Sequence, residues 1–223
     1  MRIYHGSDHV IEKPLYGYGK EYNDYGIGFY CTKEISMAKE WGVSSIADGF
    51  ANIYEFDDSG LKTLNLLSDD YCMLHWLTIL LQNREFNITS MLANEAKQYL
   101  IENFNLPYNK ADVITGYRAD DSYFSFAQDF LNGTISYRQL CRAMKLGKLG
   151  EQIVLKSKRS FERIKYVGNE PAKIEEWLPR KNIRDSNARK DYFDIKKNKR
   201  QKGDLFITKI IDEEMKADDP SLR

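Results

Sequence analysis

The stretch Gly26-Ile27-Gly28-Phe29-Tyr30-Cys31-Thr32-Lys33-Glu34-Ile35-Ser36-Met37-Ala38-Lys39-Glu40-Trp41 constrains the fold more than any other part of the chain. It begins with strand character and ends with helix character. Gly26 and Gly28 have no Cβ, so a neighbouring backbone or a ligand can approach closely there. Phe29 to Thr32 are aromatic, β-branched or small, which suits a short strand. Thr32 then predicts an N-cap, and Glu34 places negative charge in the first helical turn. Ile35, Ala38 and Trp41 recur at intervals of three, so one helical face can carry them inward. Tyr30 on the strand and Trp41 on the helix are then two large rings able to hold a flat heteroaromatic ring between them. The plainer reading of the same residues is a strand and a helix packed on a core.

The N-terminus sharpens this. Ile3 and Tyr4 suit a strand, and His5-Gly6-Ser7 closes it. Tyr4-His5-Gly6-Ser7 followed by Gly-x-Gly-Phe-Tyr resembles the first two motifs of the ADP-ribosyltransferase superfamily. The similarity is to its His-Tyr-Glu branch, which includes diphtheria toxin and the poly(ADP-ribose) polymerases. The run Gly26 to Trp41 also resembles an uncharacterised bacterial family related to these enzymes. The resemblance covers roughly residues 1–168.

It implies a fold and a chemistry. The fold is α+β, a split antiparallel β-sandwich with inserted helices. The chemistry is transfer of ADP-ribose from NAD to an acceptor, with release of nicotinamide. His5 would bond the adenosine-side ribose, and the Gly6 backbone would hold the nicotinamide amide, with Ser7 beside them. Tyr30 and Trp41 would stack on the two faces of the nicotinamide ring. The third motif maps the catalytic carboxylate onto Glu151, because Glu151-Gln152-Ile153-Val154-Leu155 is an acid followed by a run suited to a buried strand. Gln152 is the rival, since a shift of one residue sends the side chain to the opposite face. Residue 149 is Leu, so the paired-acid signature of arginine-modifying toxins is absent.

Elsewhere the pattern alternates sheet and helix. Ala51 to Phe56 alternates apolar and polar, and Leu61 to Leu66, Asp112 to Gly116 and Phe161 to Val167 are further strand candidates. Helices are expected over about 71–82, 85–104, 123–131 and 137–146. Ser68-Asp69-Asp70 offers caps for the first of them. Arg118 stands in a Tyr-Arg-Ala-Asp-Asp-Ser turn similar to one in the bacterial family. Either Asp121 or Ser122 caps a helix there, or Arg118 reaches the NAD phosphates as a bidentate donor. The loop Lys13 to Tyr25 is rich in Gly and Tyr and lies between the two motifs. It reads as a surface turn or as a lid beside the cleft.

Composition excludes other classes. No run approaches 18 apolar residues, and no basic-then-apolar leader opens the chain, so neither a membrane span nor a secretory signal is expected. Cys31, Cys72 and Cys141 are odd in number and widely spaced, which suits free thiols in a reducing, cytoplasmic compartment. His5, His9 and His75 have no metal-ligand spacing, and no metal site is expected.

The net charge of zero hides an asymmetry. Residues 1–155 carry 14 Lys and Arg against 20 Asp and Glu, residues 156–202 carry 16 against 7, and residues 203–223 carry 3 against 6. The resemblance implies a catalytic domain over 1–168, and the charge shift makes 169–223 a basic, then acidic, extension. The basic segment is either a solvated tail or linker or a contact for RNA or DNA, with a protein acceptor as the alternative. Relatives by resemblance are commonly toxins or defence effectors, which implies a neutralising antitoxin partner. A different class of function is an inactive transferase scaffold that serves as a nucleic-acid-binding or interaction module.

Overall fold

The computed structural model describes residues 1–119, 121–146 and 151–222, with only the backbone at 121–124. Its centre is a seven-stranded sheet in the order β4-β5-β6-β2-β1-β3-β7. The strands are β1 (Arg2–Ser7), β2 (Phe29–Thr32), β3 (Gly49–Phe56), β4 (Thr63–Asn65), β5 (Val113–Tyr117), β6 (Glu151–Leu155) and β7 (Ile164–Ala172). All neighbours pair antiparallel except β4 with β5. The expected α+β class with a mostly antiparallel sheet is therefore what forms. Hydrogen bonds join all seven strands into one sheet, but the central junction is narrow: β1 and β2 share the single pair Tyr4↔Thr32. On either side the ladders are longer, six pairs between β1 and β3 and four between β2 and β6.

Alternation along the strands explains which residues lie on which face. Ile114 and Val154 face the larger core, with the helices α2 (Met73–Asn83), α3 (Met91–Asn103), α4 (Asp121–Leu131) and α5 (Tyr137–Ala143). Val113, Ile153 and Leu155 face the other way, onto Ile3, Phe29, Cys31, Tyr54 and Phe56. Their caps are local. Ser90 accepts the Ala93 N–H at 3.0 Å before α3, and Ser136 with Gln139 forms a capping box before α5. α2 starts two residues later than Ser68-Asp69-Asp70 suggests, and its cap is Cys72.

The helix after β2, α1 (Ile35–Gly42), begins after Glu34, with no side-chain cap. Thr32 instead accepts the Glu34 N–H at 3.2 Å, which bends the chain just ahead of the helix.

The C-terminal part is not separable. A boundary at 168 falls inside β7, which pairs along its length with β3. The long helix α7 (Ile174–Lys197) then spans from α1 to α4 and α5. Arg184 Nε lies 3.0 Å from Glu40 Oε2, the Tyr192 hydroxyl donates to Asp129 at 2.6 Å, and Gln139 donates to the Ile195 carbonyl at 2.8 Å. Ile207 and Ile210 in α8 (Ile207–Asp212), then Met215 and Leu222, are buried in the main core. The segment read as an extension is thus a packed layer. Part of its positive charge is paired within the fold: Lys196 lies 2.8 Å from Asp129, and Arg200 stacks on Phe206.

Among the described residues no helix is long and apolar enough to cross a membrane. Cys31, Cys72 and Cys141 are free, the first two buried.

Candidate functional site

Where β1 and β2 part, a cleft of about 880 Å³ opens. Its walls include His5, Gly6 and Ser7 from β1, Gly28, Phe29 and Tyr30 at the start of β2, Trp41 from α1, Arg118 after β5, and Gln152 in β6. The fold thus brings together residues that are up to 147 positions apart in the chain.

His5 is held by two neighbours. Its Nδ1 lies 2.7 Å from the Tyr30 carbonyl oxygen, and its ring stacks on Phe29 at 4.3 Å between centroids. A carbonyl oxygen can only accept, so Nδ1 carries the proton and Nε2 remains an acceptor. Burial lowers the pKa from the ordinary 6.5 to about 4, against the Tyr30 carbonyl, which favours the charged form. The imidazole is therefore neutral at neutral pH.

That shift predicts acid sensitivity. The folded pKa lies below the unfolded one, so the stability tied to a neutral His5 is complete above pH 6.5. It is lost as pH falls from 6.5 towards 4, by roughly 3 kcal/mol in all. Urea melts of wild type and His5→Gln at pH 7.5, 6 and 5 check this. The stability gap between the two proteins should change over that window. A constant gap would show that His5 is not the titrating group.

Gly6 is required by packing. A Cβ there would collide with the Ala38 carbonyl and come within 2.8 Å of Trp41 Cβ, so α1 can lie against β1 only at a glycine. The Ser7 hydroxyl donates to the His9 carbonyl at 2.6 Å and accepts from Asn52 at 2.8 Å. Asn52, fully buried in β3, also accepts the Ile11 N–H at 2.9 Å and so fixes the chain leaving β1.

Tyr30 lines the cleft, and its hydroxyl donates to the Gly26 carbonyl at 2.5 Å and accepts the Tyr25 N–H at 3.1 Å. Burial raises the Tyr30 pKa well above the ordinary range, so it stays a neutral phenol. Across the cleft, the Arg118 guanidinium stacks 4.5 Å from the Trp41 ring centroid. The Trp41 Nε1 has no hydrogen-bond partner among the described residues although the atom is buried. Asp120 and Gly150 lie outside the described residues, as do the side chains of Asp121 and Ser122, the candidate caps of α4.

Strand register decides which of Glu151 and Gln152 faces the cleft. Thr32 pairs with Gln152 and Tyr30 with Val154, and directly opposed residues share a face. Gln152 therefore lies on the Tyr30 face, and Glu151 on the reverse. Glu151 has a side-chain exposure of 46 % and pairs with Lys33 at 2.9 Å, outside the cleft. Gln152 is 5 % exposed, and its Oε1 has no hydrogen-bond partner among the described residues. A buried amide oxygen left unpaired in a cleft costs about 1–3 kcal/mol, which a bound hydrogen-bond donor would recover.

Three further residues carry no local sequence signal. Buried Asp24 accepts the Ala119 N–H at 2.8 Å, which ties the loop before β2 to the turn after β5. Arg84, at the end of α2, lies 3.7 Å from Asp24 and donates to the Tyr22 carbonyl at 3.1 Å. Lys156 donates to the Tyr25 and Ile27 carbonyls at 2.5 and 2.6 Å, and burial lowers its pKa to about 8. Asp24 and Arg84 also line the cleft.

A family model described as "Protein of unknown function (DUF3990)" matches residues 1–166. The chain belongs to this family. No curated protein matches the chain, and no solved structure does. The DUF3990 match contains every cleft-lining residue and ends inside β7, so α7 and α8 lie outside it.

Proposed function

We propose that the protein cleaves NAD and transfers its ADP-ribose to a macromolecular acceptor. The observation that carries this reading is the meeting of His5, Tyr30, Trp41, Arg118 and Gln152 in one cleft. The narrow β1–β2 junction supports the split-sheet form of the fold that such a cleft needs.

In this reading the Tyr30 ring carries one face of the nicotinamide, and the Gly6 main chain fixes its amide. Neutral His5 offers Nε2 to a ribose hydroxyl. Arg118 moves from Trp41 to the pyrophosphate, which frees the Trp41 ring for the other face of nicotinamide. The bond between nicotinamide and ribose then breaks, its electron pair leaves with nicotinamide, and positive charge grows on the ribose. Gln152 Oε1, the negative end of an amide dipole, accepts from a ribose hydroxyl and lies against that charge.

A second reading has its own support. The cleft group from β6 is a neutral amide where the transferase pattern expects a carboxylate, and an amide stabilises a cation less well. NAD would then be bound and not cleaved, as on an inactive scaffold.

Calorimetric titration with NAD, together with assay of released nicotinamide, separates the readings. Transfer requires both binding and release. Tyr30→Ala should weaken NAD about tenfold through loss of ring stacking, while Tyr30→Phe keeps the ring and most of the affinity. Absence of binding at millimolar NAD would remove both readings.

A further inference from the structure

Between the His5 and Tyr30 motifs, residues 12–25 form a loop pinned at its ends. At the start, the Tyr54 hydroxyl donates to the Ile11 carbonyl at 2.5 Å and Asn52 accepts the Ile11 N–H. At the end, Arg84 holds the Tyr22 carbonyl and Lys156 holds the Tyr25 carbonyl. A ladder of rings supports the middle: His5 on Phe29 at 4.3 Å, Phe29 with Phe161 at 6.1 Å, and Phe161 with Tyr16 at 5.7 Å. Lys158, at the start of α6 (Lys158–Phe161), lies 5.8 Å from the Tyr16 ring.

With its ends fixed, the loop holds other rings out in water. Tyr18 is 79 % exposed and Tyr22 61 %. Gly17 and Gly19 have φ of +78° and +154°, conformations that suit glycine and that turn the chain around Tyr18. Tyr18 also lines the cleft, and large rings held in solvent beside a cleft mark a contact surface. The charges carried by the loop and by the start of α6 are mixed: Lys13, Lys20 and Lys158 stand against Glu12 and Glu21, while Arg84 is paired with Asp24. Exposed rings interleaved with positive side chains match single-stranded nucleic acid, since every base has a π face and every linkage a negative charge.

We infer that the 13–22 loop and the start of α6 form the acceptor surface for a single-stranded polynucleotide, whose bases stack on Tyr18 and Tyr22 beside the cleft. This rests on the transfer reading above. In the step, the bond between nicotinamide and ribose C1′ breaks and nicotinamide leaves with the electron pair. A lone pair on a nitrogen or oxygen of the polynucleotide forms the new bond to C1′, and the proton it displaces passes to water.

The test uses the full chain and a fluorescein-labelled 12-nucleotide single-stranded RNA, its DNA counterpart and the RNA duplex. Anisotropy should show tighter binding to the single strands than to the duplex. Three lysines on phosphates predict about a twentyfold loss of affinity from about 50 to 200 mM salt. Each tyrosine-to-alanine change should weaken binding about tenfold, and Tyr18→Ala/Tyr22→Ala about a hundredfold. Radiolabel from NAD should enter the single strand, while Tyr22→Ala keeps wild-type release of nicotinamide in the absence of RNA. Equal binding by the double variant overturns the surface. Label entering only polypeptide in a lysate overturns the acceptor class in favour of protein. A Tyr22→Ala variant that loses nicotinamide release in parallel makes the loop a lid over the donor, and also overturns the inference. RNA binding that depends on the tyrosines without any NAD consumption keeps the surface and defeats the transfer reading instead.

Discussion

If the protein cleaves NAD as proposed, replacing Gln152 by alanine is expected to lower kcat for nicotinamide release about a hundred- to a thousandfold, with little change in KM for NAD. That is the size of effect produced by removing one preorganised hydrogen-bonding group that acts on charge developing in the transition state. Stability should change little, because the Gln152 Oε1 has no hydrogen-bond partner among the described residues that the substitution could remove. Gln152→Glu places a carboxylate at the same point and should raise kcat above wild type. The control is Glu151→Ala. Its partner Lys33 is about half exposed, and a solvated pair of this kind contributes about 0–1 kcal/mol. Activity of Glu151→Ala should therefore remain within about twofold of wild type. The assay is initial-rate nicotinamide release, with a thermal melt of each variant to verify folding. A dead Glu151→Ala beside an active Gln152→Ala would reverse the register derived from β2 and β6.

The second large effect lies behind Trp41. Glu40 and Arg184 are both nearly buried and 3.0 Å apart, one on α1 and one on α7. Asp185 also lies 3.0 Å from Arg184, and Lys181 and Arg118 face Glu40 more distantly. Burial raises the Glu40 pKa, and Arg184 opposes the rise. Arg184→Ala leaves a buried carboxylate without its main partner and should destabilise the fold by about 3–5 kcal/mol. In a domain of this size that is a fall of roughly 10 °C in Tm.

The sign of the pH dependence follows. A carboxyl with a raised folded pKa favours the fold when protonated, and that benefit is lost as pH rises through the folded pKa. The deficit of Arg184→Ala should thus be smaller at pH 5 than at pH 7.5. Glu40→Met/Arg184→Met removes both charges and should recover most of the loss, since an apolar pair avoids the desolvation cost. A double variant as unstable as Arg184→Ala would mean that α7 is held by shape and not by this pair. Because Trp41 adjoins Glu40, Arg184→Ala should also weaken NAD binding, and the double variant should restore it.

Much of the local structure was legible from residue pattern. The strand Phe29–Thr32, the helix that follows it, the alternating strand at 51–56 and the apolar run after Glu151 all form, because side-chain period and β-branching act within a few residues. The structure places His5 beside the Tyr30 carbonyl, and Gly6 is explained by its fit against α1. Helix starts were displaced by one or two residues at α1 and α2, where the chain uses Glu34 and Cys72 in place of the stronger capping residues nearby.

What only the tertiary structure decided are the relations between distant elements. The sequence determined that residues 151–155 form a strand, but both faces of such a strand are plausible until a partner is known. Pairing Tyr30 with Val154 turned Gln152 into the cleft and Glu151 out of it. Asn52, Asp24 and Arg84 carry no motif, since their partners stand 41, 95 and 62 residues away. The segment after 168 has the composition of a solvated tail, yet β7 pairs with β3 and α7 docks its few apolar and aromatic residues against α1 and α4. Composition averages over a helix, whereas burial depends on the few side chains that face a partner, and those partners exist only once the chain has folded.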